Sequence, residues 1–211
     1  MNHCFAHRKF INKSSLRNGI FVAHVSNMIL LGDMLPGKVA SLLSINSIRE
    51  GFEVSHRAIT SWLSILEVFY YHFKIYPYQS KKIRSIKKEP KLYLYDWSEI
   101  DDEGARFENM IASHLLKFVR YIAESEGHKI NLNYLRNVDK KETDFLVTVE
   151  NKPWFAVEAK LNEDSLDPNL IYFKERLNIP FIYQVIKKDK VDILKDGIRI
   201  ISASKFLTGL I

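Results

Sequence analysis

The stretch from residue 142 to residue 160 restricts the fold of this chain more than any other part of the sequence. Residues 143–149 and 154–160 are rich in Val, Phe, Thr and Trp, which favour β-strands. Between them, residues 151–153 (Asn-Lys-Pro) are polar and include a helix breaker, so they are expected to form a turn. The stretch therefore predicts a β-hairpin.

Charged side chains gather at one end of this predicted hairpin. Glu158 and Lys160 are two residues apart, so they project from the same face of the second strand. Asp144 opens the neighbouring strand and can reach the same end. Two carboxylates are suitable ligands for Mg²⁺, and a bound Mg²⁺ activates water for the hydrolysis of phosphodiesters. A nearby lysine can hold the attacking water or a phosphate oxygen. The alternative is a surface ion pair, which is common and contributes little.

The charge of the 211-residue chain is unevenly distributed. Residues 1–100 carry 14 Lys and Arg against 7 Asp and Glu, whereas residues 101–211 carry 17 against 18. The formal net charge of +6 favours a polyanionic partner such as DNA. Cys4 is the single cysteine, so an intrachain disulfide is excluded, which fits a cytoplasmic protein. No apolar run is long enough to predict a membrane span.

The basic half is predicted to be helical at first. Residues 19–32 fit either a short helix or a buried strand, and helices are expected from Pro36 onward. Ser55 is a favourable N-cap for the third helix. The apolar residues of that helix recur with helical spacing at Ile59, Leu63, Leu66 and Tyr70.

Residues 32–38 have the spacing of a phosphate-binding loop, but a nucleotide site is not expected there. Val39 stands where such a loop has the Ser or Thr that binds Mg²⁺. Pro36 instead suits the beginning of a helix. We therefore expect this chain to bind no nucleotide cofactor.

Three helices followed by two strand-like runs fit a winged helix-turn-helix over residues 36–100. The expected wing is a basic loop between strand-like residues 69–76 and 92–97. Basic residues of the wing and of the third helix are predicted to contact DNA phosphates. These residues are Arg57, Lys81, Lys82, Arg84, Lys87 and Lys88. A solvated lysine loop without a DNA contact is the alternative.

A second domain is expected over residues 101–211, after the acidic residues 101–103. Its predicted order is a helix, three strands, a helix and a strand. The first helix, residues 105–126, carries Glu108 on its apolar stripe. A carboxylate there needs a partner unless it lies at the exposed end of the helix.

This order of elements, together with Glu108, Asp144 and residues 158–160 (Glu-Ala-Lys), resembles the PD-(D/E)XK nuclease core of restriction enzymes and archaeal Holliday-junction resolvases. That resemblance implies an α/β (α+β) fold with a restriction-endonuclease-like αβββαβ core and a mixed sheet. From Leu35 onward the chain also resembles a domain of unknown function, the "4143" family, at the C-terminus of prokaryotic AAA-type ATPases. In that family a winged helix precedes the nuclease-like domain. The matching stretches are residues 91–96, 104–109, 134–136, 142–145 and 157–160.

The resemblance implies a role for each matching residue. The implied catalytic residues are Asp144, Glu158 and Lys160, of which Lys160 would position or activate the attacking water. The implied ligands of Mg²⁺ or Mn²⁺ are Glu108, Asp144 and Glu158. The implied supporting polar residues are Arg136 and Gln184. Thr143 stands where the proline of the family's name would be.

Two functions compete at this point. The first is a Mg²⁺-dependent endodeoxyribonuclease, and the second is a DNA-binding or regulatory module that works with an ATPase and does not cleave. A protein-interaction platform is a third, less specific reading. Residues 1–35 are expected to be an N-terminal arm or a remnant of an ATPase module, and no ATPase activity is expected from this chain.

Overall fold

The computed structural model describes residues 22–52, 54–80, 89–162 and 165–210. These residues form a mixed α/β structure with eight strands in a mixed sheet and six α-helices. They fall into two compact units. The first contains the residues up to Lys74 and Lys91–Arg106, and the second contains Ile75–Pro90 and the residues from Phe107. Within the described ranges, no helix has the length and apolar character needed to cross a membrane.

Among the described residues, the first unit begins with three helices, α1 Val22–Met34, α2 Ile45–Glu50 and α3 His56–Val68. The stretch that fitted either a helix or a strand is thus helical from Val22. Ser55 caps α3, because its Oγ accepts a hydrogen bond from the Ala58 amide at 3.2 Å. Three residues of the predicted apolar stripe, Ile59, Leu63 and Leu66, are buried in α3 together with Trp62. The fourth, Tyr70, follows the end of the helix and is 61% exposed, so its assignment to the stripe is wrong.

Two strands follow the helices. β1 His72–Pro77 and β2 Lys91–Leu94 are neighbours in the sheet. Val39, between α1 and α2, forms a parallel bridge with Leu92 of β2. Short 3₁₀ helices occur at Leu35–Lys38 and Trp97–Glu99. The element order of this unit is therefore helix, bridge, helix, helix, strand, strand.

The second unit alternates strands and helices. Its elements are α4 Glu103–Glu126 (from Phe107 onward), β3 Ile130–Arg136, β4 Glu142–Val149, β5 Lys152–Lys160, α5 Pro168–Leu177, β6 Phe181–Ile186, β7 Asp192–Lys195, β8 Ile198–Ser202 and α6 Ala203–Thr208. Strands β3, β4 and β5 are antiparallel, β5, β6 and β8 are parallel, and β7 is antiparallel to β8. The last residues of β1 pair in parallel with β3.

The hairpin formed by β4 and β5 has its turn at Glu150 and Asn151, which have positive φ angles of 50° and 62°. The turn was predicted at residues 151–153, and this prediction is wrong for Lys152 and Pro153, because both belong to β5. A two-residue turn with positive φ at both positions matches the twist of the strands it joins. Pro153 is accommodated where the register of the hairpin shifts.

Helices cover both faces of the central strands β4 and β5. Ala156 packs in a buried cluster with residues of α5, among them Leu170 and Phe173. The neighbouring Phe155 lies 6.2 Å from the ring of Phe118 on α4. Because adjacent strand residues point to opposite faces, α5 and α4 lie on opposite sides of β5. Glu158 and Lys160 follow the apolar residues of β5 and lie at the end of the strand.

Candidate functional site

Asp144 and Glu158 lie next to each other on the antiparallel strands β4 and β5. The register pairs Phe145 with Val157, which places the two acidic residues at adjoining positions. The Asp144 amide donates to Glu158 Oε2 at 3.2 Å, and the Ala159 amide donates to Asp144 Oδ2 at 3.0 Å. Both acidic residues are buried, with exposures of 8% and 5%. Backbone pairing of the hairpin thus fixes the positions of both carboxylates.

Lys160 holds two carboxylates at once. Its Nζ lies 2.9 Å from Glu158 Oε1 and 3.1 Å from Asp167 Oδ2. Asp167 is the N-cap of α5, because its Oδ1 accepts a hydrogen bond from the Asn169 amide at 2.8 Å. The lysine therefore joins the end of β5 to the beginning of α5.

Gln184 fixes the segment that carries Asp167. Its position on β6 is the register partner of Glu158, and its side chain is fully buried. Gln184 Oε1 accepts a hydrogen bond from the Asp167 amide at 3.0 Å, and Nε2 donates to the Ser165 carbonyl at 2.8 Å. Asp144, Glu158, Lys160, Asp167 and Gln184 are called the carboxylate–lysine network below.

Burial and charge both act on the ionisation of this network. Burial raises the pKa of the Glu158 carboxyl, the nearby Asp144 raises it further, and Lys160 lowers it. Burial lowers the pKa of Lys160, but the carboxylates of Glu158 and Asp167 outweigh burial and raise it overall. The network contains three carboxyl groups and one ammonium group, so its ionised form attracts cations.

Two carboxylates of the network could hold a metal ion. Asp144 and Glu158 supply the number of carboxylates that Mg²⁺ commonly uses beside water and phosphate oxygens, so the donor chemistry fits. Within the described ranges, no group of three or more His, Cys, Asp or Glu side chains is placed to hold a metal ion. Glu108 is half-buried on α4, and no three-carboxylate group that joins it to Asp144 and Glu158 is found among the described residues.

Family models match both parts of the chain. Residues 103–206 match a domain of unknown function, DUF4143. Residues 19–98 match a second domain of unknown function, DUF8612. The DUF4143 match contains the whole carboxylate–lysine network. No curated protein and no solved structure matches the chain.

Arg136, also within the DUF4143 match, forms an ion pair with Glu142. These two residues are cross-strand partners on β3 and β4, and Glu142 precedes Asp144 by two residues. Arg136 therefore holds the beginning of β4, whereas Gln184 belongs to the carboxylate–lysine network and binds the Asp167 amide. The two residues expected to support the site thus act at different places.

The predicted DNA contacts are described only in part. Arg57 is exposed near the beginning of α3, on the side that also exposes His56, Thr60, Ser61 and Ser64. Five predicted contacts lie outside the described residues, namely Lys81, Lys82, Arg84, Lys87 and Lys88. The exposed face of α3 consists of His56, Arg57, Thr60, Ser61 and Ser64. When histidine is neutral, Arg57 carries the charge of this face.

Asp167 is the member of the network that the sequence did not suggest. A local signal existed, because Asp167 directly precedes Pro168, and Asp at the N-cap with Pro at the first helical position marks a helix start. A helix beginning there follows β5 after a short loop, so its N-cap lies near the end of that strand. The signal locates Asp167 but does not predict its contact with Lys160.

Proposed function

We propose that residues 103–206 form a PD-(D/E)XK nuclease-like domain that hydrolyses phosphodiester bonds in DNA with Mg²⁺ or Mn²⁺. The observation that carries this proposal is the convergence of Asp144, Glu158 and Lys160 at one end of the β4–β5 hairpin. The observed order α4, β3, β4, β5, α5, β6 is the αβββαβ order expected for such a core. The parallel pairing of β5 with β6 gives the mixed sheet of that fold.

Three residues of the network, Asp144, Glu158 and Lys160, have distinct tasks in this proposal. Asp144 and Glu158 would hold the divalent ion, with water and phosphate oxygens completing its coordination. When bound, such an ion would supply an activated water and would neutralise charge on the phosphate. Lys160 would hold the attacking water or a phosphate oxygen through its ammonium group.

We further propose that the first unit is a winged helix that contacts DNA. Its order of helices and strands supports this, since the next strands described after α3 are β1 and β2. The exposed face of α3 offers hydroxyl groups and Arg57, which are groups that bind phosphates and base edges. Lys81, Lys82, Arg84, Lys87 and Lys88 are the proposed phosphate contacts between these strands.

The second candidate function is a DNA-binding or regulatory module that works with an ATPase without cleaving DNA. Two observations favour it. Lys160 is tied to both Glu158 and Asp167, and the described residues hold no group of three metal-ligand side chains. In this case the network would stabilise the domain, and an ATPase, either a partner or a module outside this chain, would supply the activity.

Cleavage of supercoiled plasmid and of branched DNA with Mg²⁺ or Mn²⁺ separates the two candidates. Wild type should cleave, and Lys160→Ala should lose at least about 100-fold in rate, the lower range for a positioned proton-transfer or charge-stabilising group. Lys205→Ala is the matched control, because Lys205 also binds an aspartate, Asp192, but lies on α6. Binding of DNA without cleavage by any variant would favour the regulatory module.

A further inference from the structure

The ammonium group of Lys160 contacts the carboxylate that a metal ion would bind. Glu158 Oε1 lies 2.9 Å from Lys160 Nζ, and Glu158 Oε2 accepts a hydrogen bond from the Asp144 amide. A metal ion on this carboxylate would therefore lie within a few ångströms of the ammonium group. A divalent cation bound to Glu158 would repel the ammonium group from Oε1, because like charges at a few ångströms repel strongly in a buried site.

Within the network, the ion pair with Asp167 is the contact that Lys160 would keep. Its Oδ2 lies 3.1 Å from Nζ, and its side chain is 13% exposed. Without such a contact, the single bonds of a lysine side chain rotate more freely, and its ammonium group moves towards water. The ion pair with Asp167 therefore decides whether the ammonium group stays beside the reaction centre.

Asp167 is held in place on several sides. Its Oδ1 caps α5 at the Asn169 amide, and its own amide donates to the fully buried Gln184. Contacts with α5 and β6 thus hold Asp167 in addition to its ion pair with Lys160. A group fixed in this way can hold a mobile lysine without itself being reordered.

We propose that Asp167 is a positioning residue that keeps the Lys160 ammonium group in place when a divalent cation binds the Glu158 carboxylate. In this inference, which rests on the proposed nuclease function, Lys160 exchanges a contact with two carboxylates for a contact with one. Asp167 does not touch the metal ion or the substrate. It acts through Lys160, and it links the position of the ammonium group to the beginning of α5.

The hold of Asp167 on Lys160 is measurable in the metal-free protein. Lys160→Met, Asp167→Asn and the double variant form a cycle whose melting temperatures report the coupling between the two residues. We expect the double variant to lose less than the sum of the single losses. Asn is a good N-cap, so Asp167→Asn keeps the capping of α5, and Asp167→Ser keeps one capping oxygen while removing Oδ2. Additive losses would overturn the inference.

A test of the metal-dependent step requires measurements of both Mn²⁺ affinity and DNA cleavage. Titration calorimetry with Mn²⁺ should give Asp167→Asn the affinity of wild type within about threefold. Cleavage by Asp167→Asn and by Asp167→Ser should fall about 100-fold, to the level of Lys160→Met, and the double variant should be no slower. Asp192→Asn is the control, because Asp192 binds Lys205 and Arg199 elsewhere, and it should cleave as wild type does.

The outcomes separate this inference from the proposed function. Wild-type cleavage together with full activity of Asp167→Asn would overturn the role of Asp167 and leave the nuclease function standing. A loss of Mn²⁺ affinity in Asp167→Asn would also overturn it, because the residue would then act on the metal ion. A wild-type protein that neither binds Mn²⁺ nor cleaves DNA would overturn the proposed function and with it the metal-dependent step.

Discussion

The backbone amide of Asp144 donates to the carboxylate of Glu158 across the β4–β5 hairpin, at 3.2 Å. Both side chains are buried, and this hydrogen bond fixes the Glu158 carboxylate against the backbone of β4. The pairing is a consequence of strand register, and a shift of one residue would place the two carboxylates on opposite faces of the sheet. The candidate site is therefore as rigid as the hairpin that carries it.

Glu158→Gln is predicted to weaken metal binding and to destabilise the second unit. The amide oxygen can replace one carboxylate oxygen, but the amide NH₂ then faces either the Lys160 ammonium group or the Asp144 amide, which are both donors. We expect the free energy of unfolding to fall by about 1–3 kcal/mol, together with at least tenfold weaker Mn²⁺ binding by calorimetry. Glu175→Gln, an exposed change on α5, is the control and should alter neither quantity. Undiminished Mn²⁺ affinity in Glu158→Gln would exclude Glu158 as a ligand.

Gln184→Leu is predicted to destabilise the second unit by about 1–3 kcal/mol. The leucine fills a similar volume but leaves the Asp167 amide and the Ser165 carbonyl without the partners they have in Gln184. Urea unfolding measures the loss. Gln184→Glu is the comparison, because it keeps an acceptor for the Asp167 amide while losing the donor to Ser165. Equal stability of Gln184→Leu and wild type would show that water replaces both hydrogen bonds.

The hairpin of β4 and β5 was predictable from sequence because its cause is local. Strand-favouring residues fill both runs, and the alternation of side chains placed Glu158 and Lys160 on one face. The position of the turn was not predictable in the same way. Proline at position 153 suggested a turn, but the bulge that admits it to β5 depends on pairing with β4.

Other parts of the site depend on contacts between distant segments. Asp167 meets Lys160 only after α5 has packed on the sheet, and no periodicity in the sequence encodes that contact. Strand β7 was not predicted, because all four of its residues are exposed and show no alternation of burial. The Asp196-Gly197 pair was the available signal, since both residues have positive φ and Asp-Gly favours a two-residue hairpin turn.

Arg57→Ala is predicted to weaken DNA binding without affecting the stability of the first unit. Arg57 is exposed on α3 and contributes nothing to the buried face of that helix. Affinity for duplex DNA, measured by fluorescence anisotropy over a range of salt concentrations, should fall, and the salt slope should decrease by about 1. Arg49→Ala, an exposed arginine on α2, is the matched control. An equal loss in both variants would indicate attraction by overall charge alone.

His72 is predicted to make the first unit sensitive to acid. Burial lowers its pKa to about 4, with a further decrease caused by Lys74, and its Nε2 faces the Leu63 carbonyl at 3.0 Å. In the part of the chain that the structure describes, Nδ1 is buried without a hydrogen-bond partner, so protonation there would bury an uncompensated charge.

The unfolded chain binds a proton at the ordinary histidine value, 6.5, and the folded chain only near 4. Stability is therefore complete above pH 6.5 and decreases as the pH falls towards 4, by about 3 kcal/mol over the window. We expect urea unfolding, followed by tryptophan fluorescence, to show this decrease in wild type. Between pH 7 and pH 5, the decrease in the free energy of unfolding should be about 2 kcal/mol smaller in His72→Phe than in wild type. An identical pH dependence in the two proteins would mean that His72 finds a partner for its proton.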